Sequence, residues 1–166
     1  VFRGIFKYAW QEHLVSVVET GYGWNAYGEG GGYDGGDLSV GTLAVATPLT
    51  FGLDYRFSTK NPLIVPRFGA GIGAYGVKVL SGRDRTSRDP VTDRKRSVTS
   101  AGFYGKLGAE YLLKPALVLN GDVLWHNALS GDSEAFPSGY LDSNVAFAEF
   151  RVGINYYFTI RSTGAA

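Results

Sequence analysis

Along most of its length the chain alternates apolar residues with small or polar ones, and it sustains this for longer than an ordinary strand does. Period-two alternation sends successive side chains to opposite faces of an extended backbone, and a typical strand is only about 5 or 6 residues long. One run sets Leu43, Val45, Thr47, Leu49, Phe51, Leu53, Tyr55 and Phe57 against Ala44, Ala46, Pro48, Thr50, Gly52, Asp54 and Arg56. The next sets Ile64, Pro66, Phe68, Ala70, Ile72 and Ala74 against Arg67, Gly69, Gly71, Gly73 and Tyr75.

The pattern recurs to the end of the chain. Ala101, Phe103, Leu107, Ala109, Tyr111 and Leu113 oppose Gly102, Tyr104, Lys106, Gly108 and Glu110. Leu117, Leu119, Val123 and Trp125 oppose Asn120, Asp122 and His126, and Ala146, Ala148, Phe150, Val152, Ile154, Tyr156 and Phe158 oppose Phe147, Glu149, Arg151, Gly153, Asn155 and Tyr157. Two earlier segments, Phe2 to Trp10 and Leu14 to Asn25, bring the count to seven strands. Short connectors at Gln11-Glu12, Ser58 to Pro62 and Lys114-Pro115 alternate with long ones at Tyr27 to Asp37, Ser81 to Ser97 and Asn127 to Ser143. A membrane barrel with one smooth and one ragged rim has this rhythm.

The polar face decides what the apolar face meets. It carries Arg3, Lys7, Glu19, Asp54, Arg56, Arg67, Lys106, Glu110, Asp122, Glu149 and Arg151 on strands otherwise lined with glycine. A soluble barrel has no reason to repeat glycine on a solvated exterior. A narrow lumen needs small residues for room and paired charges for compensation. Trp10, Trp24, Trp125, Tyr156 and Phe158 sit on the apolar face toward strand ends, where a membrane-interface girdle is expected. The expected fold is therefore all-β: an antiparallel up-and-down transmembrane barrel over residues 1–158, followed by a tail over 159–166. Bacterial single-chain barrels have even strand numbers, so eight strands are expected, the first missing from or outside this sequence.

Composition removes whole classes of chemistry. With 166 residues, no Cys and only two His, thiol catalysis, disulfides and thiolate metal sites are excluded, and neither a transition metal nor a cofactor is expected. Sixteen basic and fifteen acidic residues nearly cancel, so nothing points to nucleic acid. No run reaches the roughly 20 apolar residues of a spanning helix.

The stretches PLTFGLDYRF (Pro48 to Phe57), PRFGAGIGAYG (Pro66 to Gly76) and GINYYF (Gly153 to Phe158) resemble the small outer-membrane β-barrel superfamily that includes OmpX-like, OmpA-like and OmpW-like barrels. The resemblance covers nearly the whole chain and implies insertion in the outer membrane of a Gram-negative-type bacterium, in contact with lipid and lipopolysaccharide. It is almost silent on activity. Members typically finish on an aromatic residue; here Phe158 is followed by Thr159 to Ala166, a departure that suggests a tail reaching toward another envelope protein.

Three functional readings follow. The first is a non-enzymatic anchor or scaffold, or a subunit of an envelope assembly, whose loops or tail hold a partner. The second, implied by the OmpW-like resemblance, is a narrow channel for small hydrophobic solutes. The third is an outer-membrane lipid esterase using His126, whose family pattern places a serine two residues on; that position is Ala128, with Ser130 the nearest hydroxyl. Gly71, Gly73 and Gly76 match a dinucleotide-binding spacing but lie inside a strand with no helix after it. Arg83, Arg85, Arg88, Arg94, Lys95 and Arg96 form a loop cluster suited to phosphate, a candidate contact for lipopolysaccharide.

Overall fold

The structure, a computed structural model, describes residues 2–22, 42–81, 85–114, 116–138, 141 and 143–156, with backbone only for 2, 3, 22, 42–48, 80, 81 and 85. The described chain is all-β. Its strands are β1 (Phe2–Ala9), β2 (Leu14–Tyr22), β3 (Thr42–Arg56), β4 (Ile64–Ser81), β5 (Arg85–Thr86), β6 (Ser97–Lys114), β7 (Leu117–Ala128) and β8 (Val145–Tyr156). Seven of them form one antiparallel sheet in the order β1-β2-β3-β4-β6-β7-β8, and the two-residue β5 folds back onto β4.

The sheet is strongly curled. Lys7 on β1 reaches Glu110 on β6, and Arg151 on β8 reaches Glu19 on β2, at 3.1 and 2.5 Å. In a flat sheet these strands would stand about 19 and 24 Å apart at about 4.8 Å per step, beyond the reach of any two side chains. The curl is left open: among the described residues β1 and β8 have no ladder between them.

The faces follow the alternation. On the convex side Val152 is 83% exposed and Phe150 79%, with Phe6, Ile72 and Leu107 near two-thirds, while inward neighbours such as Val17, Leu124 and Tyr75 are fully buried. Around the tight-turn end, Tyr8 meets Trp10 and Tyr55 meets Phe57 edge-on; nearer the long-loop end, Phe103 lies against Trp125. Tyr156 is also exposed at the tight-turn end. Trp24 and Phe158, expected in the same girdle, lie outside the described residues, as does the tail.

The β3–β4 ladder corrects one expectation. Its register shifts between Ala46 and Leu49, a bulge beside Pro48, which has no N–H to give to a ladder. Beyond it, Leu43 and Val45 pair with Val79 and Val77, the buried positions of β4. The ladder expected to run unbroken from Leu43 to Phe57 is therefore shifted by one residue at this bulge. The connector expected from Ser81 to Ser97 is also shorter, because β4 continues to Ser81, β5 lies within it and β6 begins at Ser97.

Candidate functional site: a saturated charge network inside the curl

Because the sheet is antiparallel and mostly in register, inward positions line up in rows across the strands. One row runs Asp54, Gly69, Lys106, Leu124, Glu149, another Arg56, Arg67, Gly108, Asp122, Arg151, and a third Gly52, Gly71, Tyr104, His126, Phe147. Within each row a glycine stands beside the large side chain that leans across it. Lys106 crosses Gly69 to Asp54, with Nζ 2.7 Å from the carboxylate, and Arg67 crosses Gly108 to Asp122. Tyr104 lies over both Gly71 and Gly52, where any Cβ would collide with its ring and with neighbouring backbone. The glycine lining is thus the space in which the charged and aromatic side chains lie down.

Glu110 is the hub. Its carboxylate takes Lys7 from β1 at 3.1 Å, Arg56 from β3 at 3.0 Å and Arg67 from β4 at 2.5 Å. Arg67 also forms a fork on Asp122, with Nε and Nη2 at 3.0 and 2.7 Å, the bidentate geometry that makes an arginine–carboxylate pair strong. A second cluster joins Arg151 to Glu19 at 2.5 Å and to Glu149 at 2.9 Å. Five cations and five anions (Lys7, Arg56, Arg67, Lys106, Arg151; Glu19, Asp54, Glu110, Asp122, Glu149) are brought together, each with a partner. Arg3 belongs to β1, but its side chain lies outside the described residues.

His126 sits between this network and an apolar tier. Its Nδ1 shares a hydrogen bond with Tyr75 Oη at 3.1 Å, its ring stacks on Phe147 at 4.6 Å, and Nε2 lies 3.5 Å from Glu149. Asp122 and Asn120, the neighbours that parity suggested for it, are instead turned to each other and to Arg67. Ser130 is buried and directs its hydroxyl to the Ala128 carbonyl. The imidazole is thus hydrogen-bonded to Tyr75 and stacked on Phe147, its Nε2 makes no hydrogen bond among the described residues, and none joins the ring to Ser130 there.

Toward the long loops the interior turns apolar: Tyr75, Val77, Val79, Phe136, Leu141 and Phe147 form one buried cluster. The alternation contained part of it, since Val77 and Val79 continue the inward parity of Tyr75. Above it two loops clasp. Asp89 accepts hydrogen bonds from Val91 N–H and Thr92 N–H in its own loop and from Ser138 N–H and Oγ–H in the β7–β8 loop. Arg96 donates to Ser138, and Thr92 Oγ1 donates to the Ala135 carbonyl. Burial alone would raise the Asp89 carboxyl, but these bonds, led by the Ser138 hydroxyl, hold it well below the usual carboxylate range. Asp93 supports the turn with φ of 53°, a left-handed conformation that aspartate tolerates.

The clasp divides the cationic loop. Arg96 is buried beside Asp89 and faces inward, so it is withdrawn from the surface cluster expected of it, while Arg88 pairs with Asp93. Arg94 and Lys95 are exposed, and Arg94 lines an open cleft of about 450 Å³ with Thr92, Asp132, Glu134 and Ala135. Arg83, and the side chain of Arg85, lie outside the described residues. No group of three His, Asp or Glu side chains is placed to hold a metal ion among the described residues. No family model matches the chain, and neither a curated protein nor a solved structure matches it.

Proposed function

We propose that this chain is an outer-membrane β-barrel of eight strands, seven of them described, that serves as a non-enzymatic anchor or scaffold of the cell envelope. The observation that carries the reading is the inversion of the two faces: ion pairs and glycine inside, large apolar side chains outside. A water-facing exterior of this kind would be an apolar surface far beyond the few hundred Å² that soluble monomers expose. In hydrocarbon it is the expected surface, and the 12 residues each of β7 and β8 suffice to cross, since tilted spanning strands need about 9–11.

The filled interior favours an anchor over a channel. Charged bridges cross the middle, and the Tyr75–Phe136–Leu141–Phe147 cluster with its clasp occupies the long-loop end. The exposed Arg94 and Lys95 favour the phosphates of an anionic lipid headgroup as the loop contact. The experiment is reconstitution into liposomes loaded with a small dye, alongside partition after alkaline carbonate washing. An anchor stays in the washed membrane and releases no dye. Dye release would instead establish a conducting path, and loss of the protein from the pellet would remove the membrane reading.

A further inference from the structure

We propose that the cleft between the β4–β6 and β7–β8 loops binds a phosphate that carries a primary ammonium, a headgroup of the phosphoethanolamine type. Such a ligand keeps the phosphate of the loop contact proposed above and adds a second charge to it; only its lipid source rests on the membrane reading. The cleft, about 450 Å³ and lined by Thr92, Arg94, Asp132, Glu134 and Ala135, falls within the roughly 300–1,000 Å³ of small-molecule sites.

Both walls are fixed. Thr92 Oγ1 donates to the Ala135 carbonyl from one loop to the other at 2.8 Å, and Asp89 ties the loops again through Ser138. The turn that carries the two acids is closed on itself, with Phe136 N–H donating to the Asp132 carbonyl and Ala135 N–H to the Asp132 carboxylate, both at 2.9 Å. The lining thus holds opposite charges in set places without joining them. Among the described residues Arg94, Asp132 and Glu134 make no salt bridge, whereas Arg88 and Arg96 in the same loop each have a carboxylate.

A ligand that satisfies this lining brings both signs. Arg94 offers a planar fork of donors, which suits a phosphate. Asp132 has a carboxylate oxygen to spare after Ala135 N–H is bound, Glu134 has no hydrogen bond among the described residues, and Thr92 Oγ1 can still accept after donating its proton. Those three side chains match the three N–H donors of a primary ammonium. A quaternary ammonium has no donor and is held by aromatic rings, of which the lining has none. A phosphate without an ammonium would meet two carboxylates beside one arginine. Exposed apolar side chains stand close in sequence on both walls: Val91 precedes Thr92, and Leu129 lies three residues before Asp132. They favour a headgroup still joined to its acyl chains.

The test uses the whole protein in a maltoside detergent. Glycerophosphoethanolamine, glycerophosphocholine and inorganic phosphate are titrated in solution and followed by phosphorus NMR. In parallel, native mass spectrometry reads which lipid is retained from an equimolar mixture of phosphatidylethanolamine, phosphatidylcholine and phosphatidylglycerol. The ethanolamine form is expected to be preferred, and Arg94→Gln and Glu134→Gln should each weaken its binding about two- to fivefold, the range for exposed charge pairs. Arg88→Gln, outside the lining, should leave it unchanged. Both cleft substitutions fall on exposed loop side chains, and circular dichroism checks that the strands are intact. Retention of phosphatidylethanolamine makes a membrane lipid the source; binding of the soluble headgroup without that retention makes it free phosphoethanolamine. Phosphate or phosphatidylglycerol held as tightly as the ethanolamine form would overturn the site in favour of a plain anion contact. Choline forms held equally, full binding by Glu134→Gln, or no binding of any probe would overturn it as well. Failure of the membrane reading shows separately, as loss of the protein from carbonate-washed membranes, and leaves the solution titration standing.

Discussion

Arg67 binds carboxylates on two strands from a third, and it is only 3% exposed. Replacing it with leucine leaves Glu110 without its shortest bridge and Asp122 without its fork, in a place water does not reach. Removing one partner from a buried ion pair costs about 3–5 kcal/mol. Arg67→Leu is therefore expected to lower the urea unfolding midpoint in detergent sharply; an unchanged midpoint would mean that the guanidinium faces water. The glycines give a paired contrast. Gly69 and Gly71 have side chains and backbone where a Cβ would go, so Gly69→Val and Gly71→Val should each cost at least about 1–3 kcal/mol. Gly105 and Gly121 face open space, and alanine there should stay within about 0.5 kcal/mol of the parent. Alternation told which face each of these residues takes. It could not tell that Lys106 crosses Gly69 to reach Asp54, because a row exists only once the register of three strands is set.

At the scale of elements, the loop between β4 and β6 behaves as a clasp. Its sequence is rich in charge and reads as solvated, and nothing local shows that Asp89 and Arg96 meet Ser138, which is 49 and 42 residues away. Asp89→Ala should free the loop, and trypsin should then cut after the exposed Arg94 and Lys95 faster than in the parent, with the strands still intact. The pH response has a definite sign. Because the folded state holds the Asp89 carboxyl below its unfolded value, its contribution is complete above the unfolded pKa of about 4 and is lost as pH falls below it. Amide exchange at Val91, Thr92 and Ser138 should stay slow from neutral pH down to about 4, once corrected for intrinsic rates, and quicken below. The bulge beside Pro48 was likewise hidden, since parity continues through it in the sequence while the ladder shifts by one residue.

At the scale of the molecule, the all-β class and the sidedness of the sheet were legible because period-two alternation writes them on every strand. Leu49, Phe51 and Leu53 outward with Thr50, Gly52 and Asp54 inward is one repeat of a rule that holds again on β6, β7 and β8. Closure was not written in the same way, since it depends on strands that are distant in sequence. The central claim is that the convex face lies in hydrocarbon. It is tested most directly with a single tryptophan at Ile72, mid-belt and 67% exposed, the native tryptophans being replaced by phenylalanine, in bilayers of lipids brominated at defined depths. Strong quenching by bromines deep in the acyl chains, with no quenching by aqueous acrylamide, is the predicted result; emission quenched by acrylamide and indifferent to the brominated lipids would contradict it.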